Sequence, residues 1–380
     1  MHKIKVLRVI ARMNIGGPAF LIKELMTGLD KERFEQVLVY GNCEGSELEI
    51  EGVELLGRTQ KLVNLSRSVN IRADLSSLNA LRKIIHEEQP DIIDTHTFKA
   101  GFLIRIFFLF TPKKKVKIVH HYHGHLLNGY FRASTLVLYK VIEKTLAREA
   151  DLLITDGEII TNQLVASHIA PMEKFQHLMP GVVAPKPALD FPTRPRMESS
   201  ESKVTIAFIG RLAPIKRPDR FLDLVQDLSK KRKDVKFLIY GDGELKDKIQ
   251  QRICEERLPV ELLPFEKDVY RVLANVDILV MTSDNEGTPL TVMEASYAGV
   301  PCIGTNVGSM RDIVKDGVNG FLVDPTAASL AIVLQELLEN RQELTRLILG
   351  ASKYAEDNFN IRNYVHGHEK LYQGLVDSAN

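Results

Sequence analysis

The stretch KVTIAFIGRLAPIKRPDRFLDLVQDLSKKRKDVKFLIYG, residues 203–241, decides the fold. It holds a β-branched run, a loop with prolines and basic side chains, a helical pattern and a second β-branched run. Strand, helix and strand in this order are typical of a parallel α/β sheet. The same alternation continues on both sides, except between Pro180 and Pro195, where five prolines precede the run MESSESK. Prolines so placed can continue neither a helix nor a strand, and they predict a linker.

The length of the chain predicts more than one domain. At 380 residues it exceeds the size at which a single hydrophobic core usually stops growing. We therefore expect an α/β protein with two Rossmann-like, doubly wound domains that face a central cleft. The expected boundaries are a first domain at 1–183, a linker at 184–202, a second domain at 203–355, and a C-terminal helix within 356–380 that packs back toward the first domain.

The composition excludes several classes of protein. Fifty basic against forty-nine acidic side chains give a net charge of +1, which argues against a nucleic-acid partner. The three cysteines are widely separated, so neither a disulfide framework nor a zinc site built on cysteine is expected. The N-terminal residues lack the apolar core of a signal peptide and predict a strand. No apolar run reaches the roughly 20 residues that span a bilayer. We expect a cytoplasmic protein.

The loops that follow the strands are the places to look for a site, because ligands of such sheets bind at the carboxyl ends of the strands. After the first strand, Gly16 and Gly17 leave bare backbone in front of a helix start, which can bind an anion such as phosphate. After the strand that ends at Gly210, Arg211 and Lys216 could clamp a diphosphate. A plain turn and a pair of solvated charges are the ordinary alternatives. No G-x-G-x-x-G motif supports a nicotinamide site.

The stretch EGTPLTVME, residues 286–294, predicts a helix start behind a turn. Pro289 is suited to the first helical position, and Thr288 to the cap. The amides of Leu290 and Thr291 would then point toward a phosphate.

Two carboxylates flank this helix start. Such acids are costly to bury among apolar residues unless a partner binds them. Glu294 lies one turn into the helix, where it could accept both hydroxyls of a ribose, and Glu286 could hold the hydroxyls of a sugar. The spacing suits a nucleotide-sugar laid across a helix N-terminus. An exposed turn before an ordinary helix is the alternative.

The chain resembles a retaining glycosyltransferase of the GT-B fold, and within that fold family 4, whose members use nucleotide-activated sugars to build bacterial surface polysaccharides. The resemblance covers nearly the whole chain. It is carried, in order, by GGP, HGH, GRLAPIKRPDRFL, YGDGELK, EGTPLTVMEASYAGVPCIGTNVGS and DIVKDGVNGFLV.

The resemblance implies a role for each matching residue. The expected catalytic residues are His123, Arg211, Lys216 and Glu286. His123 would reach the donor sugar or offer its backbone carbonyl near the anomeric carbon, although a core histidine is the alternative. His125 and Tyr130 are expected on the acceptor side. The expected donor-binding residues are Gly16, Gly17, Gly210, Phe265, Gly287, Thr288, Pro289, Leu290, Thr291 and Glu294.

Three positions depart from the family pattern. The family often has Asn-Gly where this chain has Pro180-Gly181, a serine where it has Asp156, and a glutamate where it has Asp312. Asp312 keeps the charge. The other two departures concern the acceptor side.

A histidine cluster, VHHYHGH at residues 119–125, raises the question of a metal. On a strand the side chains at 121, 123 and 125 would share one face. No cysteine or carboxylate lies close in sequence, and the chain has no Asp-x-Asp motif. The resemblance implies helix amides and basic side chains at the leaving diphosphate. We therefore expect no metal, no cofactor and a metal-independent reaction.

The stretch FLIRIFFLFTPKKKVK, residues 102–117, is apolar and then basic. A buried helix before a surface turn is the ordinary interpretation. The alternative is a face that dips into lipid headgroups, with Lys113, Lys114, Lys115 and Lys117 against anionic lipid. It would place the protein at the inner face of the cytoplasmic membrane.

The predicted function is transfer of a sugar from a nucleoside diphosphate, expected to be UDP, to a hydroxyl of a glycan or lipid-linked glycan, with retention of the anomeric configuration. Two alternatives stay open: a GT-B sugar-nucleotide epimerase, which would need no acceptor, and a non-catalytic nucleotide-sugar-binding subunit, which would never release UDP.

Overall fold

The structure is a computed structural model of the chain. It divides into two compact units, residues 1–180 together with 361–380, and residues 181–360. The described residues are 3–45, 47–111, 116–124, 133–185 and 203–378.

Unit 1 is built on seven strands: β1 (Ile4–Ile10), β2 (Phe34–Gly41), β3 (Arg58–Leu62), β4 (Ile92–His96), β5 (Lys117–Tyr122), β6 (Leu152–Thr155) and β7 (Phe175–His177). They form one sheet in the order β3-β2-β1-β4-β5-β6-β7, and every pairing is parallel. The connecting helices are α1 (Gly17–Gly28), α2 (Ile71–Glu88), α3 (Phe98–Leu109), α4 (Ala133–Ala147) and α5 (Glu158–Ala166).

Unit 2 repeats this plan with six strands: β8 (Val204–Ile209), β9 (Val235–Tyr240), β10 (Val260–Leu263), β11 (Ile278–Met281), β12 (Cys302–Thr305) and β13 (Gly320–Val323). Their order is β10-β9-β8-β11-β12-β13, again parallel throughout. The helices are α6 (Pro218–Lys231), α7 (Lys246–Glu255), α8 (Val269–Leu273), α9 (Leu290–Tyr297), α10 (Met310–Ile313), α11 (Ala327–Glu339) and α12 (Arg341–Asn358).

The stretch at residues 203–241 forms β8, α6 and β9, as predicted. Helix α6 buries one apolar stripe, because Phe221, Leu224, Val225 and Leu228 recur at helical spacing and join the core with the strand residues. The parallel sheets of both units confirm the predicted fold class.

The last helix, α13 (Ile361–Asp377), belongs to unit 1. It packs against α1. The Tyr372 hydroxyl donates a hydrogen bond of 2.7 Å to Asp94 in the middle of β4, and Arg8 of β1 donates to both residues. The buried Arg8–Asp94 ion pair thus links β1 to β4, and Tyr372 links this pair to α13.

Three strands escaped the sequence analysis. In β3 four of five residues are polar and most are exposed, because the strand lies at the sheet edge. The other edge strands, β7 and β13, have only three and four residues, too few for a clear pattern. Helices α11 and α12 are separated at Asn340, whose side chain caps α12 by accepting from the amide of Glu343.

Candidate active site

The candidate site of unit 2 lies where the order of its strands reverses. The chain runs outward from β8 to β9 and β10, and then returns to place β11 on the other side of β8. The loops after β8 and β11 therefore lie at the carboxyl ends of the strands on either side of this reversal, the usual ligand position in open α/β sheets. The first loop carries Lys216 and the second carries Glu286.

Lys216 and Glu286 form a two-pronged ion pair. The Nζ atom of Lys216 donates hydrogen bonds of 2.7 Å to both carboxylate oxygens of Glu286. The Ser283 hydroxyl donates a further short hydrogen bond to the same carboxylate. The lysine side chain is 24% exposed and that of the glutamate 6%. A cation at the solvent side of a buried carboxylate can be shared with an incoming anionic ligand.

Backbone contacts hold the two loops together. The Thr282 hydroxyl donates 2.9 Å hydrogen bonds to the carbonyls of Lys216 and Arg217, and the Asp284 amide donates to Ile215. The Asp284 carboxylate accepts from the guanidinium groups of Arg217 and Arg220. These bonds fix the position of the lysine backbone relative to the second loop.

Gly308 fixes the backbone at Glu286 from the side of the loop after β12. Its φ of +53° lies in the left-handed region, and a side chain there would collide with the carbonyl oxygen of Glu286. The neighbouring Ser309 amide donates a 3.1 Å hydrogen bond to that carbonyl. The glycine is required because the two loops approach each other at backbone distance.

The start of α9 differs from the prediction by one residue. Pro289 itself is the N-cap, with extended backbone and no side-chain cap, so the expected cap at Thr288 was wrong. Val292 already donates to the Pro289 carbonyl at 3.1 Å. The amides of Leu290 and Thr291 are thus the ones that open the helix, as expected.

Glu294 lies on α9, one turn beyond this start. Burial raises the pKa of its carboxyl to about 7. The carboxyl is therefore about half ionised at neutral pH in the absence of a ligand. A buried carboxylate whose pKa is raised is a candidate binding group.

The other residues predicted to bind the donor lie in loops that follow strands of the same sheet. Gly210 and Arg211 follow β8 directly, and Arg211 is exposed. Gly287 lies between Glu286 and the start of α9. Phe265 follows the edge strand β10 and is 43% exposed. The geometry brings Lys216 and Glu286 into direct contact, and only the loop positions relate Arg211 and Phe265 to them.

The glycines of YGDGELK serve loop packing. A side chain at Gly241 would collide with the carbonyl of Gly210, and one at Gly243 with the carbonyl of Leu212. These glycines allow the loops after β8 and β9 to lie side by side.

In unit 1, Gly16 is the N-cap of α1 and Gly17 its first residue, so the glycines lie at a helix start as predicted. His123 follows β5. Its Nδ1 lies 2.9 Å from Asp156, and its Nε2 lies 2.8 Å from His96. Both ring nitrogens of His123 thus have partners inside unit 1. His125 and Tyr130 lie outside the described residues.

The partners of His123 escaped the sequence analysis. His96 ends β4, and Asp94 of the same strand contacts both His96 and His121. All three are buried. Burial lowers the pKa of His96 and of His121 to about 4, so both imidazoles are neutral at pH 7. The available signal was the run DTH at the carboxyl end of a strand, beside the end of the strand HHY.

Two family models match the chain side by side. The model described as Glycosyltransferase Family 4 matches residues 15–183, and the one described as Glycosyl transferases group 1 matches residues 192–354. The chain belongs to glycosyltransferase family 4.

Its relatives include family members of enteric bacteria. It is 30% identical over 273 residues to the UDP-Gal:alpha-D-GlcNAc-diphosphoundecaprenol alpha-1,3-galactosyltransferase of Escherichia coli, covering 68% of this chain and 69% of that protein. It is 23% identical to the O-antigen biosynthesis glycosyltransferase WbnH of Escherichia coli, covering 79% and 82%.

Solved structures share the fold of this glycosyltransferase along its whole length. Sucrose-phosphate synthase from Thermosynechococcus elongatus superimposes with a TM-score of 0.83 at 15% identity, covering 99% of this chain and all of that one. Anabaena HepE in complex with UDP-glucose gives 0.77 at 18% identity, covering 98% and 100%. The expectation of a GT-B glycosyltransferase is confirmed.

Proposed function

We propose that this glycosyltransferase moves a sugar from a UDP-sugar to a hydroxyl of a lipid-linked glycan during synthesis of a surface polysaccharide, with retention of the anomeric configuration. The observation that carries the proposal is the Lys216–Glu286 pair at the strand reversal of unit 2, in a chain of family 4. The name of the galactosyltransferase relative, which cites a diphosphoundecaprenol acceptor, supports the lipid-linked acceptor.

The donor would bind along the loops after β8 and β11. Its diphosphate would lie at the amides of Leu290 and Thr291, its ribose at Glu294, and its sugar hydroxyls at Glu286. A donor diphosphate would compete with Glu286 for Lys216, since one ammonium group then serves two anions. Lys216, with Arg211 of the same loop, would stabilise the negative charge that grows on the diphosphate as the glycosidic bond breaks.

Nothing in this arrangement of donor groups calls for a metal at the diphosphate, since two basic side chains and a helix start supply the positive charge. We therefore keep metal-independent transfer as part of the proposal. The acceptor hydroxyl would attack the face that the phosphate leaves, and the phosphate oxygen would accept its proton.

A lipid-linked acceptor would favour a protein that touches the membrane. Among the described residues no helix is long and apolar enough to cross a bilayer. Most of α3 is buried, including Leu103, Ile104 and Phe108, which matches the ordinary interpretation of the stretch at 102–117. Its end is different, because Leu109 is 40% and Phe110 81% exposed.

The neighbouring helix α4 contacts α3 and exposes Val137, Leu138 and Val141. In sequence, Leu109 and Phe110 precede the lysines at 113–115, and the exposed residues of α4 follow them. These lysines lie outside the described residues. We place the proposed contact with anionic lipid here. Replacement of Lys113, Lys114, Lys115 and Lys117 by glutamate should abolish co-sedimentation with anionic liposomes; unchanged co-sedimentation would exclude this contact.

The first experiment is calorimetric titration of UDP, GDP and ADP into the wild type and the Glu294→Gln variant. Binding of UDP that the substitution weakens is expected. UDP-sugars are then screened with a polyprenyl-diphosphate N-acetylhexosamine acceptor, and the anomeric configuration of the product is determined by NMR.

The same screen separates the alternatives. Conversion of a UDP-sugar without acceptor would identify an epimerase. Donor binding without UDP release on any acceptor would identify a binding subunit. The family membership and the presence of Arg211, Lys216, Glu286 and Glu294 favour the transferase.

A further inference from the structure

Three strands of unit 1 bring a set of histidines and carboxylates together at their carboxyl ends. Asp94 and His96 come from β4, His121 comes from β5, and His123 and Asp156 follow β5 and β6. One ring nitrogen of each histidine lies within 4.8 Å of those of the other two. The rings are nearly parallel, with interplanar angles between 14° and 21°.

Each of the three imidazoles has a carboxylate at its other nitrogen. Nε2 of His96 lies 3.0 Å from Oδ2 of Asp94, and Nδ1 of His123 lies 2.9 Å from Asp156. A carboxylate accepts hydrogen bonds, so these two nitrogens carry the protons. Nε2 of His121 lies 3.2 Å from Oδ1 of Asp94 and 3.4 Å from Nε2 of His368. The Nδ1–H of His368 donates to the carbonyl of Tyr364, so its Nε2 is an acceptor and Nε2 of His121 also carries its proton.

This assignment of protons leaves three nitrogens with free lone pairs: Nδ1 of His96, Nδ1 of His121 and Nε2 of His123. The first and the last are only 2.8 Å apart, so a cation or a shared proton must lie between them. Nδ1 of His121 is buried and has no hydrogen-bond partner among the described residues. Such a bare, buried acceptor costs free energy unless a ligand occupies it.

We propose that His96, His121 and His123 bind a divalent transition-metal ion of the kind that prefers imidazole, with zinc as the first candidate. Metal-ligating histidines characteristically donate their second N–H to a carboxylate, which fixes the ring and raises the basicity of the ligand. Asp94 accepts such a bond from His96 and Asp156 one from His123, and Asp94 also lies 3.2 Å from His121. A zinc–nitrogen bond of about 2.0–2.1 Å requires ligand atoms roughly 3.3 Å apart, so the His96–His123 distance would open by about 0.5 Å.

Asp156 is one of the positions at which the chain departs from the family pattern, where a serine is common. A serine could not act as the anionic partner of His123. The departure and the histidine cluster are thus explained together. The sequence argued against a metal because no carboxylate lies close to the histidine run in the chain. In the folded structure, Asp94 of β4 and Asp156 after β6 lie beside these histidines. The ion would fix the His123 backbone and would not act on the donor diphosphate, so the inference stands apart from the proposed function.

The test is metal retention by the untagged full chain after dialysis against Zn²⁺ or Co²⁺ and then buffer, measured by elemental analysis. We expect one ion per chain, tetrahedral cobalt bands in the visible spectrum, and a fall in the unfolding temperature when a chelator is added. The shared-proton alternative predicts no retained ion and no response to the chelator, and that result would overturn the proposal.

Conservative variants locate the ion. His96→Gln and His121→Gln keep an amide donor for Asp94, and His123→Asn keeps one for Asp156, while each removes the ligating nitrogen. Each should abolish stoichiometric binding. Asp156→Asn should keep the site but weaken metal affinity about 10–100-fold. The control is His120→Asn, on the same strand and equally buried, whose ring bonds Thr95 outside the cluster. Equal metal retention by all variants and the control would refute the site. If a variant fails to fold, the chelator response of the wild type still decides.

Discussion

The Nζ atom of Lys216 lies 2.7 Å from both carboxylate oxygens of Glu286, although the two residues are 70 positions apart in sequence. Each is the partner of the other in an ion pair. Under the proposed function, a donor diphosphate would draw Lys216 toward itself, and Glu286 would then be released to bind the sugar. Donor binding would thus also prepare the site.

The first prediction is that Lys216→Ala lowers turnover by at least about 10²-fold, because the charge that develops on the leaving diphosphate loses its nearest cation. Steady-state kinetics with saturating UDP-sugar would measure this. The buried Glu286 carboxylate is left without its partner, so the unfolding temperature should also fall.

Lys246→Ala is the matched control, since Lys246 is also a unit 2 lysine in an ion pair, with Asp242 at 2.8 Å, but is more exposed. The Lys246→Ala variant should have normal turnover. Near-normal turnover by Lys216→Ala would contradict the assignment.

The second prediction concerns donor affinity and pH. Because the pKa of Glu294 is about 7, its carboxyl becomes ionised between pH 6 and pH 8, and the anion accepts ribose hydroxyls better than the neutral acid. The affinity for UDP-glucose should rise up to about tenfold over this interval. Glu294→Gln should bind more weakly and show no such rise. A parallel pH slope in both proteins would assign the effect to another group.

The third prediction follows from the same pKa by linkage. The pKa of Glu294 in the native protein is above the usual unfolded value. The contribution of this carboxyl to the free energy of unfolding is therefore complete below about pH 4.5 and is lost as the pH rises through 7. The Glu294→Gln variant cannot ionise at this position, so its stability should not fall with pH for this reason. The free energy of unfolding of the variant should exceed that of the wild type at pH 8, by about 3 kcal/mol, and should be similar to it at pH 4.5. A constant difference across the range would exclude the linkage.

The fourth prediction is that Gly308→Ala impairs catalysis, because the new methyl group would displace the carbonyl of Glu286 and the φ of +53° disfavours alanine. We expect lower kcat together with lower stability. Gly374→Ala is the control, since it lies in α13 with open space around it. It should be neutral or stabilise by up to about 1 kcal/mol. Normal kcat for Gly308→Ala would show that the loop contact does not position Glu286.

The fifth prediction concerns the buried pair of Arg105 and Glu143 in unit 1, joined at 2.6 Å with both side chains inaccessible. Arg105→Met and Glu143→Leu should each destabilise by about 3–5 kcal/mol, because one buried charge remains unpaired. The double variant should lose less than either single one, as measured by denaturant unfolding. Additive losses would mean that the two charges do not interact.

The sequence predicted much of the fold and part of the site. The β-branched runs and helical stripes indicated both parallel sheets, since burial of both sheet faces imposes apolar strands. The edge strand Arg58–Leu62 left no such pattern because little of it is buried. Lys216, Glu286 and Glu294 were predicted as site residues because they follow strands or flank a helix start, which is a local signal.

Only the folded structure shows which of these side chains are in contact. Lys216 pairs with Glu286 because β8 and β11, distant in the chain, are neighbours in the sheet. The partners of His123 come from β4 and from the loop after β6, so no spacing within the histidine run could predict them. Glu294 acquires its raised pKa from burial by the assembled unit. Local propensity and periodicity are written in the sequence, whereas proximity between strands and the desolvation of a charge arise only once the sheet has formed.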